Sequence, residues 1–88
     1  MLKSVLALVN SDSHTCGNHR VKEYSDNTRV FIYHSTVICT VNDNTRTFNT
    51  NNGGWNTQST TRAINSYKQA FTEKGYTVDS NLPCGYRD

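Results

Sequence analysis

Between Arg29 and Val41 the chain reads RVFIYHSTVICTV, a run dominated by β-branched and aromatic residues. Such side chains lose rotamer freedom in a helix but stand well on a pleated sheet. The run therefore predicts extended structure through the middle of the chain. The polar pair His34-Ser35 interrupts it, which predicts a bulge or bend at that point. Asn42-Asp43-Asn44-Thr45 follows as a tight connection, because Asn and Asp tolerate the positive φ of hairpin loops. The segment RTFNT, from Arg46 to Thr50, then runs back as a partner strand. The expectation is a β-hairpin from Val30 to Thr50.

The flanks supply the remaining elements. Val5 to Val9 is a continuous apolar run bounded by Asn10-Ser11-Asp12-Ser13. Its length and β-branched content predict a strand buried on both faces, with a short helix as the alternative. Ser11 to Asn18 reads as a polar loop, Arg20 to Tyr24 as a short edge strand, and Ser25 to Thr28 as a turn. Downstream, TTRAINSYKQAFTEKGY reads as the one helix, with Ala63, Ile64, Tyr67, Ala70 and Phe71 forming an apolar stripe. Gly75 is placed to end it in the left-handed conformation. Lys68 and Lys74 lie toward its C-terminal end, where the helix dipole favours cations. YTVD predicts a last short strand, and Pro83 keeps the tail SNLPCGYRD irregular. A single helix packed on an antiparallel sheet predicts a small two-layer α+β fold, one domain over residues 1–88.

Composition narrows the function classes. Charged residues make up 18% of the chain, below the charge-rich balance of disordered segments. The net charge is +2 and no basic stripe is present, which disfavours a groove for long duplex DNA. A local anion pocket fits that balance. The cysteines Cys16, Cys39 and Cys84 are odd in number, so a disulfide framework would leave one unpaired. That predicts a reduced, cytoplasmic setting. The apolar run near the start is too short for a secretory leader, and no stretch approaches a membrane span, so no membrane partner is expected.

The segment NNGGWNTQSTTR, from Asn51 to Arg62, concentrates the chemistry. Gly53 and Gly54 let the backbone reverse and approach another group closely. Thr57 or Ser59 is a suitable N-cap for the helix, and Trp55 would pin the turn. The same residues also suit an anion. A glycine turn entering a helix start presents free N–H groups, reinforced by the helix dipole. Thr57, Ser59, Thr60 and Thr61 add hydroxyls, and Arg62 offers a bidentate clamp for phosphate. Trp55 offers a flat face for a base, and Asn56 and Asn65 can read polar edges. The predicted ligand-binding set is therefore Gly53, Gly54, Trp55, Asn56, Thr57, Thr60, Thr61, Arg62 and Asn65. The Gly-Lys-Ser/Thr ending of a P-loop and the GxGxxG dinucleotide fingerprint are both missing, so no cofactor is expected.

Other constellations are weaker. His14, Cys16 and His19 with Cys39 or Cys84 would make a mixed zinc site, but the spacing lacks the paired ligands of strong zinc motifs, and no metal is expected. Cys39 sits mid-strand as a small core residue. His34, five residues away on the same strand, would point to the opposite face, so the two would not form a catalytic pair. His34 itself is either a hydrogen-bonded residue at a strand bend or a group facing the Gly-Gly segment. Lys22, Arg29 and Arg46 read as solvated strand charges. Tyr24, Tyr33 and Tyr76 are expected to pack against the sheet. No paired carboxylates and no Ser-His-Asp order are visible, so the chain reads as non-catalytic.

From Tyr33 to Phe71 the sequence resembles a family of short tailed-phage proteins to which no activity is attached. They pair a Tyr-x-x-Thr strand with a Gly-Gly-aromatic-x-Thr-x-x-Thr-x-Arg-x-x-Asn block at a helix start. The matching residues here are Tyr33, Thr36, Gly53, Gly54, Trp55, Thr57, Thr60, Arg62 and Asn65. The resemblance covers less than half of the chain, and Met1 to Ile32 has no counterpart. It implies a phage accessory protein acting in the cytoplasm of an infected host, in host takeover or anti-defence. Taken with the anion site, it implies sequestration of a nucleotide signal. Inhibition of a host or defence enzyme by direct contact, through the hairpin edge and Trp55, is the rival expectation. Single-stranded nucleic acid is a further candidate ligand. Two copies facing each other would double the pocket, so a homo-oligomer also fits.

Overall fold

The apolar middle run folds as two strands, not one. The computed structural model describes residue 5 and residues 8–10, 14–25 and 27–88. Strand β3 spans Thr28–Tyr33 and β4 spans Thr36–Asn42, and they pair antiparallel with Tyr33 opposite Thr36. His34 and Ser35 form the two-residue turn between them, at φ 56 and 96. Positive φ at both turn residues matches the right-handed twist of the flanking strands. The expected interruption is thus a complete reversal, and the predicted hairpin is a three-stranded meander. Its third strand, β5, spans Thr47–Thr50.

A bulge does occur, further along β4. Phe31 pairs with Cys39 and Ile32 with Val37, which leaves Ile38 as the extra residue. A bulge opposes two residues to one and so disturbs strict alternation. Ile38 and Cys39 both join the main core in consequence.

Upstream, β1 (His14–Cys16) and β2 (His19–Ser25) pair antiparallel around Gly17 and Asn18. The segment expected to be a polar loop therefore contributes a strand. It also makes β2 an interior strand instead of an edge. Val5 and Leu8 are helical, and the Val9 N–H donates to the Val5 carbonyl at 3.0 Å. At Val5 and Leu8 the expected strand is thus corrected to the helical alternative. A short apolar run has no periodicity that separates a buried strand from a buried helix. Positions three apart share a helix face, and Val5 and Leu8 are both fully buried in the main core. The expectations for residues 1–4, 6–7 and 11–13 and for Asp26 lie outside the described residues.

Helix α1 spans Gln58–Glu73 and packs on β4 and β5. Ala63, Tyr67, Ala70 and Phe71 are buried, with Ile64 at the margin of the same cluster. The helix ends as expected. Gly75 takes φ 87, Tyr76 N–H donates to the Phe71 carbonyl at 2.9 Å, and Gly75 N–H donates to the Thr72 carbonyl at 3.0 Å. This is the Schellman arrangement, which satisfies the last carbonyls of a helix. Strand β6 (Thr77–Val78) then adds parallel to β5, so the sheet is six-stranded and antiparallel except at that one pair. The fold is a small α+β arrangement with the helix on one face of the sheet.

The C-terminal tail covers part of the other face. Val30, Ile32 and Val37 form a second apolar cluster there, packed by Cys84 and Tyr86. Backbone bonds hold the tail along β4 where β5 leaves off: Val37 N–H to the Tyr86 carbonyl at 2.9 Å, and Gly85 N–H to the Val37 carbonyl at 2.7 Å. At its end Asp88 forms ion pairs with Arg20 and Lys22 on β2.

Arg29 is not a solvated charge. It is 5% exposed and grips Asp43 with Nε at 2.7 Å and Nη2 at 2.8 Å. Its Nη1 donates to the Val9 carbonyl at 2.8 Å, and its guanidinium lies over the rings of Phe31 and Phe71. Along β3, Arg29 alternates onto the same face as Phe31, which is the face that α1 covers. Tyr24 also departs from expectation: it is 62% exposed, with Lys22 near its ring. Tyr76 packs on Phe71 as expected, and its hydroxyl donates to Asp43 Oδ1 at 2.8 Å.

Candidate functional site

The segment after β5 folds as two nested turns that the sequence itself builds. Asn51 Oδ1 accepts from Gly53 N–H at 2.8 Å, and Asn52 Oδ1 accepts from Gly54 N–H at 2.8 Å. Trp55 N–H donates to the Asn52 carbonyl at 3.0 Å. Asn side chains close such local rings readily. Gly53 is fixed here by space as well as by its φ of 62. A Cβ at that position would lie 2.5 Å from Thr36 Cγ2 and 2.9 Å from the Gly85 carbonyl oxygen. The turn is therefore wedged between β4 and the tail.

Thr57 is the N-cap of α1, with Oγ1 accepting from Thr60 N–H at 3.2 Å. The same hydroxyl donates to Thr60 Oγ1 at 2.8 Å. Thr61 Oγ1 donates to the Thr57 carbonyl at 3.1 Å, and Asn56 Oδ1 accepts from Asn52 Nδ2 at 3.2 Å. The first turn of α1 carries no acidic residue to oppose its dipole. Trp55 is pinned at one point, where Nε1 donates to Thr36 Oγ1 at 3.1 Å, and yet it is 56% exposed. A large ring held in place and left in solvent is a ready contact surface.

These residues border a cleft of about 320 Å³. One wall is the end of β3 and its turn, with Tyr33 and His34. The floor is Thr36 and Ile38. The other wall is Trp55 with the start of α1, Thr57, Ser59 and Thr60. The sequence-predicted set is thus divided. Trp55, Thr57 and Thr60 line the cleft. Gly53, Gly54, Asn56, Thr61, Arg62 and Asn65 are not among its lining residues. The two glycine N–H groups are turned into the Asn51 and Asn52 side chains instead of outward. Arg62 and Asn65 are exposed on α1, and Arg62 lies three residues beyond Ser59, on the same helix face.

Tyr33, His34, Thr36, Ile38 and Ser59 were absent from the predicted set. The resemblance already included Tyr33 and Thr36. For His34 the sequence left a bend residue and a group facing the Gly-Gly segment as alternatives, and the structure places it with Trp55 in the cleft lining. Burial, followed by the nearby Cys84, pushes the Cys39 thiol well up, and burial also raises Cys84, so neither is a ready thiolate. Among the described residues no group of three His, Cys, Asp or Glu side chains is placed to hold a metal ion, and no helix is long and apolar enough to cross a membrane.

Comparison of the chain with known protein families, with curated proteins and with solved structures finds no match.

Proposed function

We propose that this protein is a non-catalytic binder of a small phosphate-bearing planar ligand, in the first instance a nucleotide, held between the His34–Ser35 turn and the start of α1. The observation that carries this reading is the exposed Trp55 ring, fixed by its bond to Thr36, which lines a cleft together with a helix N-terminus. A base stacked on such a ring gains about 1–3 kcal/mol. The first-turn N–H groups at Gln58 and Ser59 lack intrahelical acceptors and, with the Ser59 hydroxyl, suit a phosphate. Helical side chains lean toward the N-terminus, which brings Arg62 toward the same end as a cationic contact. A cleft of about 320 Å³ lies at the small end of ligand pockets. It suits one nucleotide better than an oligonucleotide. In the phage setting implied by the Tyr33–Phe71 resemblance, such binding would sequester a nucleotide signal in the host cytoplasm.

Calorimetric titration with AMP and GMP, against ribose 5-phosphate as the base-free control, tests this. Binding should weaken with rising salt, because exposed charges are screened. Trp55→Ala should weaken it by about tenfold, with the fold intact by circular dichroism. Arg62→Ala should lower phosphate affinity without changing thermal stability. Absence of nucleotide binding by the wild type would overturn the reading. The exposure of Trp55 favours a second reading in that case, contact with a protein partner, which the same Trp55→Ala variant would lose.

A further inference from the structure

Two buried polar groups have no hydrogen-bond partner among the described residues: His19 Nδ1 and the Tyr67 hydroxyl. His19 is 7% exposed and Tyr67 is fully buried. Folded proteins pair nearly all such groups, so each exception asks for a reason. Packing gives none for Tyr67, because a phenylalanine would contact Phe31 equally well at the observed 4.9 Å centroid separation.

Their position relative to the cleft supplies a reason. Cross-strand pairing sets Cys16, His19, Tyr33 and Thr36 in one row across β1 to β4. Tyr33 is half-buried, lines the cleft, and stacks on His19 with centroids 4.7 Å apart. The His19 and Tyr67 rings are 6.5 Å apart. Tyr67 lies two turns beyond the cleft residue Thr60 on α1, and helical side chains lean toward the N-terminus, so its ring leans toward the cleft end. The Tyr33 ring, which lines the cleft and packs on His19, therefore stands between the cleft and His19, with Tyr67 beyond. It stands at the last position of β3, where a rotamer change moves no backbone.

We propose that a bound planar heterocycle displaces the Tyr33 ring and places its polar edge against the Tyr67 hydroxyl and His19 Nδ1. This extends the nucleotide reading and rests on it. Burial raises the Tyr67 hydroxyl and lowers His19, aided by the charge of His34, so both are neutral at pH 7. A phenol donates and accepts, and one nitrogen of a neutral imidazole does either. Together they match an edge carrying a donor beside an acceptor, which is what the amide edge of guanine or uracil and the amidine edge of adenine or cytosine present. The contacts are hydrogen bonds alone, with no bond made or broken.

Tyr67→Phe is the deciding variant, because it removes only the unpaired oxygen. Wild type, Tyr67→Phe and His19→Phe are titrated with AMP, GMP, CMP, UMP and ribose 5-phosphate, and their thermal unfolding is followed. The expected result is a loss of about tenfold in affinity for the base-bearing ligands, with ribose 5-phosphate affinity unchanged and the Tyr67→Phe melting temperature unchanged or raised. His19→Phe keeps a ring on Tyr33 and should show the same selective loss. Equal nucleotide affinity in Tyr67→Phe would overturn the extension while leaving the cleft reading standing. A lowered melting temperature would also overturn it, since the hydroxyl would then be bonded within the fold. If the wild type binds no nucleotide, both fall together.

Discussion

Arg29 shows what a single side chain does in this fold. It is buried, bidentate to Asp43, and bonded to the Val9 carbonyl. One guanidinium thus ties the N-terminal segment, β3 and the β4–β5 turn together. A buried cation that loses its partner is costly, about 3 kcal/mol or more. Asp43→Ala should therefore lower the unfolding free energy by about 3 kcal/mol in urea titration. A loss under about 0.5 kcal/mol would mark the pair as a surface contact. Alternation in phase with Phe31 gives the face that Arg29 shares, but a strand cation reads as solvated, so its burial was not legible. Nor was its acceptor, because Asp43 sits in a turn that reads as solvated Asn and Asp. The same limit applies to Tyr67. Its place in the apolar stripe is visible in the helical spacing, but the unpaired state of its hydroxyl depends on every neighbour it meets.

The elements differ in how openly the chain encodes them. Helix α1 is local in origin. Its N-cap, its stripe and its terminal Gly75 are set by residues within a few positions of one another; the stripe and Gly75 stand where the spacing places them, and the structure settles the N-cap on Thr57 over Ser59. The His34–Ser35 turn is the opposite case. Two-residue hairpin turns favour Asn-Gly, and His-Ser carries no such signal. The apolar run on either side therefore reads as one strand. Ser35 at φ 96 is strained, because a Cβ disfavours that conformation. Ser35→Gly should relieve it and stabilise the protein by about 1 kcal/mol, a rise of about 4–8 °C in melting temperature for a domain of this size. An unchanged or lower melting temperature would show that the turn is held without strain. His34 is also the residue that this turn delivers to the cleft, so an error at the turn hides one wall of the site.

For the whole molecule, acid is the informative variable. Burial, then the charge of His34, lowers the pKa of His19. Its contribution to stability is present above about 6.5 and is lost as pH falls through the depressed folded value. Burial alone would raise Asp43, but the bonds from Arg29 and Tyr76 and the charges of Arg29 and Lys74 outweigh it and hold the carboxyl low. Its contribution is present above about 3.9 and is lost below that. Both groups act in the same direction. Stability followed by urea midpoint should be flat near neutrality, decline below about pH 6.5 and decline again below about pH 4. His19→Phe should remove the first decline and Asp43→Asn should shrink the second. The tail closes the second face of the sheet through contacts such as Arg20 to Asp88, 68 residues apart. Sequence alone determined the α+β class, the helix with its apolar stripe and its Gly75 end, and the Gly-Gly turn before it, because these rest on spacing and backbone preference over a few residues. Only the tertiary structure decided that Arg29 is buried, that the tail covers β4, and that His34, Trp55 and Ser59 enclose one cleft. Those outcomes depend on which distant residues share space, and burial and charge pairing are properties of that shared space.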